Sequence, residues 1–167
     1  MLKGKALKFG DQVSTDAIIP SRLADLRGNL PELAKHIFED LDPDFLRKVK
    51  PGDFLVAGRN FGLGSSREFA PRVIKMSGIS LVLAKSVARI FFRNAINIGL
   101  PVLRCDTDRI KEADELEVDL ELGLVRNLTT GMELSSTRIP PFMARVLEEG
   151  GLLSYIEKYG DFQIERK

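Results

Sequence analysis

A glycine-rich segment that runs into two serines, Gly58 to Pro71 (GRNFGLGSSREFAP), constrains the fold of this chain more than any other stretch. Its glycines allow tight turns and a close approach of the backbone to a ligand. The residues that follow, Ser65-Ser66-Arg67-Glu68, are typical of a helix start, with hydroxyls where unpaired N–H groups need acceptors and an acid in the first turn. We therefore predict a helix from Ser66 to about Met76, with a site for a small carboxylate or phosphate at its N-terminus.

Two interpretations of Ser65 stay open at this point. A serine hydroxyl needs an activating environment before it can accept a proton. Arg67 and a helix N-terminus both stabilise a negatively charged oxygen, so Ser65 could act as a base or donate a hydrogen bond to a carboxylate. The structural alternative is a capped helix after a tight turn.

Other polar side chains are candidates for the same site. Thr15-Asp16 places a hydroxyl and a carboxylate at the exit of the first predicted strand, where they form either part of a site or an ordinary cap or turn. Arg22 and Arg27 could each pair with a substrate carboxylate, although lone surface arginines more often bind nothing specific. Arg89 and Arg93 are interpreted as a stripe that faces solvent or a partner.

Composition excludes several classes of protein. The 167 residues, 44% of them hydrophobic, predict one domain over residues 1–167. A net charge of +1, without a basic run interleaved with aromatics, argues against nucleic-acid binding. The apolar runs are too short to span a bilayer and the N-terminus lacks the apolar core of a signal peptide. We therefore expect no membrane partner and a cytoplasmic location.

The chain has one cysteine, Cys105, and one histidine, His36. An intrachain disulfide is therefore impossible. An iron–sulfur cluster normally needs several thiolates, and a zinc site needs several Cys or His ligands. We predict no cofactor and no metal on this chain, and we interpret His36 as a structural residue of an amphipathic helix.

The order of apolar runs and helical periods predicts an α/β fold with a partly parallel sheet. Strands are predicted at 2–9, 54–57, 79–84, 100–104, 116–120 and 125–128. Helices are predicted at 31–38, 42–49, 66–76, 86–98, 140–149 and 152–159. Segment 21–29 lacks a clean period and is expected to be a mobile loop.

Three stretches and the chain length resemble the swivelling domain of the aconitase superfamily. Gly62 to Glu68 is similar to its Gly-x-Gly-Ser-Ser-Arg-Glu motif, and Phe9 to Pro20 and Ala88 to Pro101 agree with it in order. The similarity is to the free-standing small subunits of isopropylmalate isomerase and homoaconitase. It implies a single swivelling β/β/α domain like the C-terminal domain of aconitase, with a mixed sheet and flanking helices.

The resemblance also implies an activity, the dehydration and rehydration of a small hydroxy-di- or tricarboxylate. A large subunit would carry a [4Fe–4S] cluster whose open iron binds the substrate, so the active site would lie between the two chains. By position in the motif, Ser65 would be the base that removes a proton from carbon, and Ser66 and Arg67 would bind a substrate carboxylate. Thr15 and Asp16 match a Thr-Asp pair that faces the active site; we assign Asp16 to catalysis and Thr15 to substrate binding.

The sequence departs from the family pattern in two places. Phe69 stands where the family often has histidine. Segment 21–29 also differs, and its Leu26-Arg27-Gly28 is similar to a Phe-Arg-Gly segment of aconitase whose arginine holds a carboxylate. We assign both Leu26 and Arg27 to substrate binding. Leu26 suits an apolar substituent such as isopropyl, whereas Arg27 suits a third carboxylate such as that of homocitrate.

Three functions stay open on the sequence. The first is the small subunit of a hydro-lyase acting on isopropylmalate, ranked first because leucine synthesis is the commonest setting of the family. The second is a homoaconitase or a methylmalate-type dehydratase. The third belongs to another class, a non-catalytic module that binds an anion and regulates a partner.

Overall fold

The computed structural model describes residues 1–160, which are organised around a mixed sheet of seven strands. Along the chain the strands are β1 (Leu2–Lys8), β2 (Phe54–Ala57), β3 (Leu81–Ala84), β4 (Val102–Arg104), β5 (Glu115–Asp119), β6 (Leu124–Asn127) and β7 (Met132–Ser135). Across the sheet they lie in the order β4-β3-β2-β1-β5-β6-β7. The α/β class and the mixed sheet with flanking helices are therefore as predicted.

The parallel half of the sheet contains β1 to β4. Every residue of β2 and β3 is buried, and the two strands pair in parallel from Phe54 opposite Leu81 to Ala57 opposite Ala84. Continuous apolar runs of this kind are typical of strands that helices cover on both faces. The connection from β2 to β3 runs through helix α4 (Phe69–Met76), and the connection from β3 to β4 runs through helix α5 (Arg89–Asn97).

The antiparallel half of the sheet begins at β1, which pairs in parallel with β2 on one side and antiparallel with β5 on the other. β5 and β6, and β6 and β7, continue as antiparallel pairs. The strand Met132–Ser135 was not predicted from sequence. In it only Leu134 is buried, so the apolar alternation that identifies a strand is too short to recognise.

Within residues 1–160, the five remaining α-helices have between four and eight residues each. They are α1 (Thr15–Ile18), α2 (Leu30–Ala34), α3 (Phe45–Lys48), α6 (Pro141–Glu148) and α7 (Leu152–Tyr159). None of the helices within residues 1–160 combines the length and apolar content that a membrane span requires.

Apolar side chains pack on both faces of the sheet. On one face, Phe9 stacks on Phe38 with ring centroids 4.5 Å apart, and Phe38 meets the edge of Phe45 at 4.9 Å. On the other face, Phe142 and Tyr155 from α6 and α7 meet at 5.5 Å. The first cluster anchors the 31–49 region and leaves the glycine-rich segment at the carboxyl edge of the parallel strands.

Several predicted boundaries were wrong. The helix predicted at 31–38 ends at Ala34, and the chain then reaches Phe38, whose φ of 55° is incompatible with a right-handed helix. Of the helix predicted at 42–49, only α3 (Phe45–Lys48) is observed. Segment 21–29, predicted to be a mobile loop, has regular structure, because it forms a 3₁₀ helix over Ser21–Gly28 that is kinked at Leu23. Its mobility stays a prediction.

Candidate active site

Backbone pairing brings two predicted site segments side by side. Ser14 forms an isolated parallel bridge with Leu63. The amide of Gly62 donates to the carbonyl of Val13 at 2.8 Å, and the amide of Thr15 donates to the carbonyl of Leu63 at 2.8 Å. The start of α1 therefore lies against the segment from Gly62 to Glu68, which we call the glycine-serine loop and which is about fifty residues away in sequence.

Thr15 fixes the position of Ser65. The Thr15 side chain is buried, and its Oγ1 donates to the carbonyl oxygen of Ser65 at 3.2 Å. Gly64 makes this approach possible, because its φ is 108° and a Cβ there would lie 3.1 Å from Oγ1 of Thr15. Ser14 caps α1 by accepting from the amide of Ala17 at 3.0 Å. The hydroxyl of Thr15 is thus used to hold the loop.

Arg67 lies at the centre of a charged network with α1. Its Nη1 donates to Oδ1 of Asp16 at 3.1 Å and to the carbonyl of Ile19 at 3.0 Å, and its Nη2 donates to Oγ of Ser21 at 2.6 Å. The Arg67 side chain is 15% exposed and that of Asp16 is 59% exposed. The guanidinium is therefore held in place at the edge of the site, where a ligand can still reach it.

Asp16 is held as a carboxylate. Its Oδ1 accepts from both the amide and the hydroxyl of Ser21, in addition to Arg67. The hydrogen bond from the Ser21 side chain is the main reason that the pKa of Asp16 lies below its ordinary value, and Arg67 lowers that pKa further. Sequence reasoning missed Ser21, whose only signal is a small hydroxyl residue directly after Pro20.

The prediction that Ser65 and Ser66 open a helix was wrong. The Ser65 carbonyl accepts from the amide of Arg67 at 2.7 Å, which forms a tight turn, and α4 begins only at Phe69. Pro71 fits within the first turn of α4, where its missing N–H costs no helical hydrogen bond. Both hydroxyls are consequently free of a capping role.

Both serine side chains face solvent. Ser65 and Ser66 are exposed, and within residues 1–160 neither hydroxyl forms a hydrogen bond. Glu68, the acid expected to complement a helix start, instead pairs with Arg72 at 2.6 Å along α4. The loop therefore presents two unused hydroxyls in the two residues that precede Arg67.

The ring of Phe69 contacts both Arg67 and Arg27, which is a residue of the 3₁₀ helix Ser21–Gly28. The guanidinium carbon of Arg27 lies 5.4 Å from the centroid of the Phe69 ring, and that of Arg67 lies 6.0 Å from the same centroid. Arg27 is exposed, whereas Leu23 and Leu26 pack partly buried against the hydrophobic core. Leu26 and Arg27 were both assigned to substrate binding. Of the two, Arg27 is the one that shares the Phe69 ring with Arg67.

The remaining candidates lie elsewhere. Nδ1 of His36 lies 2.5 Å from Oε2 of Glu39 in the turn after α2, in keeping with a structural role. Arg22 is bonded to Glu39 and Asp40. Among residues 1–160 no group of three or more His, Cys, Asp or Glu side chains could hold a metal ion.

The mixed sheet with flanking helices is the architecture that the resemblance to the swivelling domain of the aconitase superfamily implies. The chain also matches the aconitase C-terminal domain family over residues 34–108.

Proteins that are similar to this chain over nearly its whole length identify the family within that class. The chain is 61% identical over 161 residues to 3-isopropylmalate dehydratase small subunit 2 of Archaeoglobus fulgidus, covering 96% of this chain and 98% of that protein. It is 51% identical over 160 residues to the isopropylmalate/citramalate isomerase small subunit of Methanocaldococcus jannaschii, covering 95% of each. The crystal structure of a 3-isopropylmalate dehydratase from the same organism superposes with a TM-score of 0.89 at 44% identity, covering 95% of both chains. The chain therefore belongs to the 3-isopropylmalate dehydratase small subunits, and membership of that family implies a large-subunit partner.

Proposed function

We propose that this chain is the small subunit of a hydro-lyase that interconverts 2- and 3-isopropylmalate by dehydration and rehydration, in the service of leucine biosynthesis. The observation that carries the proposal is that two exposed and unused hydroxyls, Ser65 and Ser66, directly precede Arg67, whose guanidinium is held in place and partly exposed. The names of the relatives supply the choice of substrate.

Arg67 retains the means to bind a carboxylate. A guanidinium carries five N–H donors. Three hydrogen bonds within the described chain occupy Nη1 and Nη2, which leaves Nε–H and a further N–H for a ligand. Since two such donors match the spacing of carboxylate oxygens, Arg67 would bind one substrate carboxylate bidentately, with Ser66 as an additional donor.

Ser65 would transfer the proton at carbon. Its carbonyl is held by Thr15 at 3.2 Å, so the side chain projects from a fixed turn. The guanidinium of Arg67, two residues further along the chain, would stabilise the negative oxygen that a serine base requires. Asp16 would orient Arg67 through Oδ1. Thr15 would act on the substrate indirectly, by setting the position of Ser65.

Residues of this chain do not fit an iron–sulfur cluster. The only thiol, Cys105, is buried, and burial raises its pKa to about 12, whereas a cluster ligand must be a thiolate. We therefore place the [4Fe–4S] cluster of the family on the large subunit, where it would supply Lewis-acid chemistry. The chain's own part is to bind, orient and deprotonate the substrate.

The test is turnover of isopropylmalate by the chain mixed with its cluster-loaded large subunit under anaerobic conditions. Ser65→Ala should lower turnover by about a hundredfold or more while the two subunits still associate. Ser154→Ala, at an exposed serine of α7, is the matched control and should leave turnover unchanged. Formation of the complex without turnover by the native chain would instead favour the anion-binding module.

A second substrate class is favoured by one observation, the contact of Arg27 with the ring that Arg67 also contacts. A guanidinium at this place suits the third carboxylate of a homocitrate-type acid better than an isopropyl group. Isopropylmalate, citramalate, homocitrate and citrate offered in parallel distinguish the two classes. Activity confined to the first two would mean that Leu26, and not Arg27, faces the variable group.

A further inference from the structure

A cavity lies away from the glycine-serine loop, between α5, α6 and the segment that follows β7. Its volume is about 620 Å³, within the range of roughly 300–1,000 Å³ typical of small-molecule sites. Phe92 and Ile96 of α5, Val102 of β4 and Val146 of α6 give it an apolar lining. The cavity can therefore bury an aliphatic group.

Four arginines also line this cavity, namely Arg89, Arg93, Arg104 and Arg138. All four are exposed, and their side chains form no ion pair or hydrogen bond with any residue from 1 to 160. Among residues 1–160, no Asp or Glu lines the cavity. By contrast Arg126, on the antiparallel half of the sheet, is bonded to two glutamates.

Local structure keeps these charges together. Arg89 and Arg93 stand four residues apart on α5, so that they share one side of the helix. The amide of Thr137 donates to the carbonyl of Arg104 at 2.9 Å, and the amide of Arg104 donates to Oγ1 of Thr137 at 3.0 Å. Arg138 is thereby fixed next to Arg104. Like charges gathered in this way repel one another until an anion neutralises them.

We propose that this cavity binds an amphipathic carboxylate, a small acid with an unbranched or branched aliphatic chain. The chain would occupy the apolar lining around Phe92 and Val146, and the carboxylate would accept hydrogen bonds from the arginines. This site is separate from the one that contains Ser65 and does not depend on the proposed activity.

The experiment uses the full chain and hexanoate as the probe, followed through methyl resonances in two-dimensional NMR spectra. Saturable shifts are expected at Val102, Val146 and Leu152, which line the cavity. Hexylammonium and hexanol have the same aliphatic chain without the anion and should bind at least about tenfold more weakly. The double variant Arg93→Gln/Arg138→Gln should weaken hexanoate binding by a similar factor, whereas Arg126→Gln should not.

Other outcomes would overturn the proposal. If hexanoate and hexylammonium bind equally well, or if the double variant binds hexanoate as well as the native chain does, the arginines do not contribute to binding. Shifts confined to Leu63 and Ala70 would place the carboxylate on the glycine-serine loop instead. If hexanoate does not bind and the double variant weakens association with the large subunit, the cavity is a protein contact surface.

Discussion

Thr15 and Ser65 join the two parts of the site through one hydrogen bond, in which Oγ1 of Thr15 donates to the carbonyl oxygen of Ser65 at 3.2 Å. Thr15 is 3% exposed, whereas Ser65 is exposed. A buried side chain therefore sets the position of an exposed one. This relationship assigns Thr15 the task of positioning the turn that carries the proposed base.

Replacing Thr15 tests that task. Thr15→Val keeps the shape and removes the hydroxyl, so we expect a loss of about 1 kcal/mol in the free energy of unfolding and about a tenfold loss of turnover. Thr15→Ser keeps the donor and should retain most of both. Urea denaturation and steady-state turnover of the reconstituted enzyme measure the two effects. A larger loss in Thr15→Ser than in Thr15→Val would show that the methyl group, not the hydroxyl, matters.

Arg67→Lys tests bidentate binding of a carboxylate. A point ammonium cannot replace a planar fork of donors, so we expect KM for the substrate to rise at least about tenfold. Arg72→Lys, on the neighbouring helix α4 and paired with Glu68, is the control and should leave KM unchanged. Near-normal affinity in the Arg67 variant would contradict the role proposed for Arg67.

The Asp16 network predicts a dependence of stability on pH. The Ser21 hydroxyl, helped by Arg67, holds the pKa of Asp16 below its ordinary value of 3.8. A lowered folded-state pKa means that the carboxylate stabilises the fold above about pH 3.8 and that this contribution is lost as the pH falls through the folded-state value. Asp16→Asn should thus destabilise the protein at neutral pH and have a smaller effect in strong acid.

Denaturation at pH 7 and at pH values below 3.8 measures the difference. Asp25→Asn is the matched control, because Asp25 lies in the same region and forms no ion pair or hydrogen bond within residues 1–160. Its replacement should change stability little at either pH. A destabilisation by Asp16→Asn that does not diminish in acid would show that the loss comes from packing and not from the charge.

Phe69 offers a test of the contact between its ring and Arg27. Phe69→Tyr keeps an aromatic face, whereas Phe69→Leu removes it along with a cation–π interaction of about 0.5–1 kcal/mol at an exposed site. We therefore expect KM to rise about two- to fivefold in Phe69→Leu and to stay near its original value in Phe69→Tyr. Adding Arg27→Gln to Phe69→Leu should then have little further effect. A full additional effect would mean that Arg27 acts without the ring.

Much of the architecture followed from local patterns. The continuous apolar residues of Phe54–Ala57 and Leu81–Ala84 indicated buried strands, and both are buried at every residue. A period of 3.6 identified the helix at 152–159 to the residue. The helix predicted from Ser66 failed because hydroxyl residues before an apolar period look like a cap, whereas the turn closed by Ser65 and Arg67 delays the helix to Phe69.

The sequence by itself determined the strand–helix order, the single thiol that cannot hold a cluster, and the residue types of the glycine-serine loop. These properties depend on composition and on neighbours within a few residues. Only the tertiary structure decided that Thr15 contacts Ser65, that Ser21 shares Asp16 with Arg67, and that Arg27 reaches Phe69. Those contacts join residues that are distant in sequence, and the pairing of strands and loops across the sheet, which no local pattern encodes, is what brings them together.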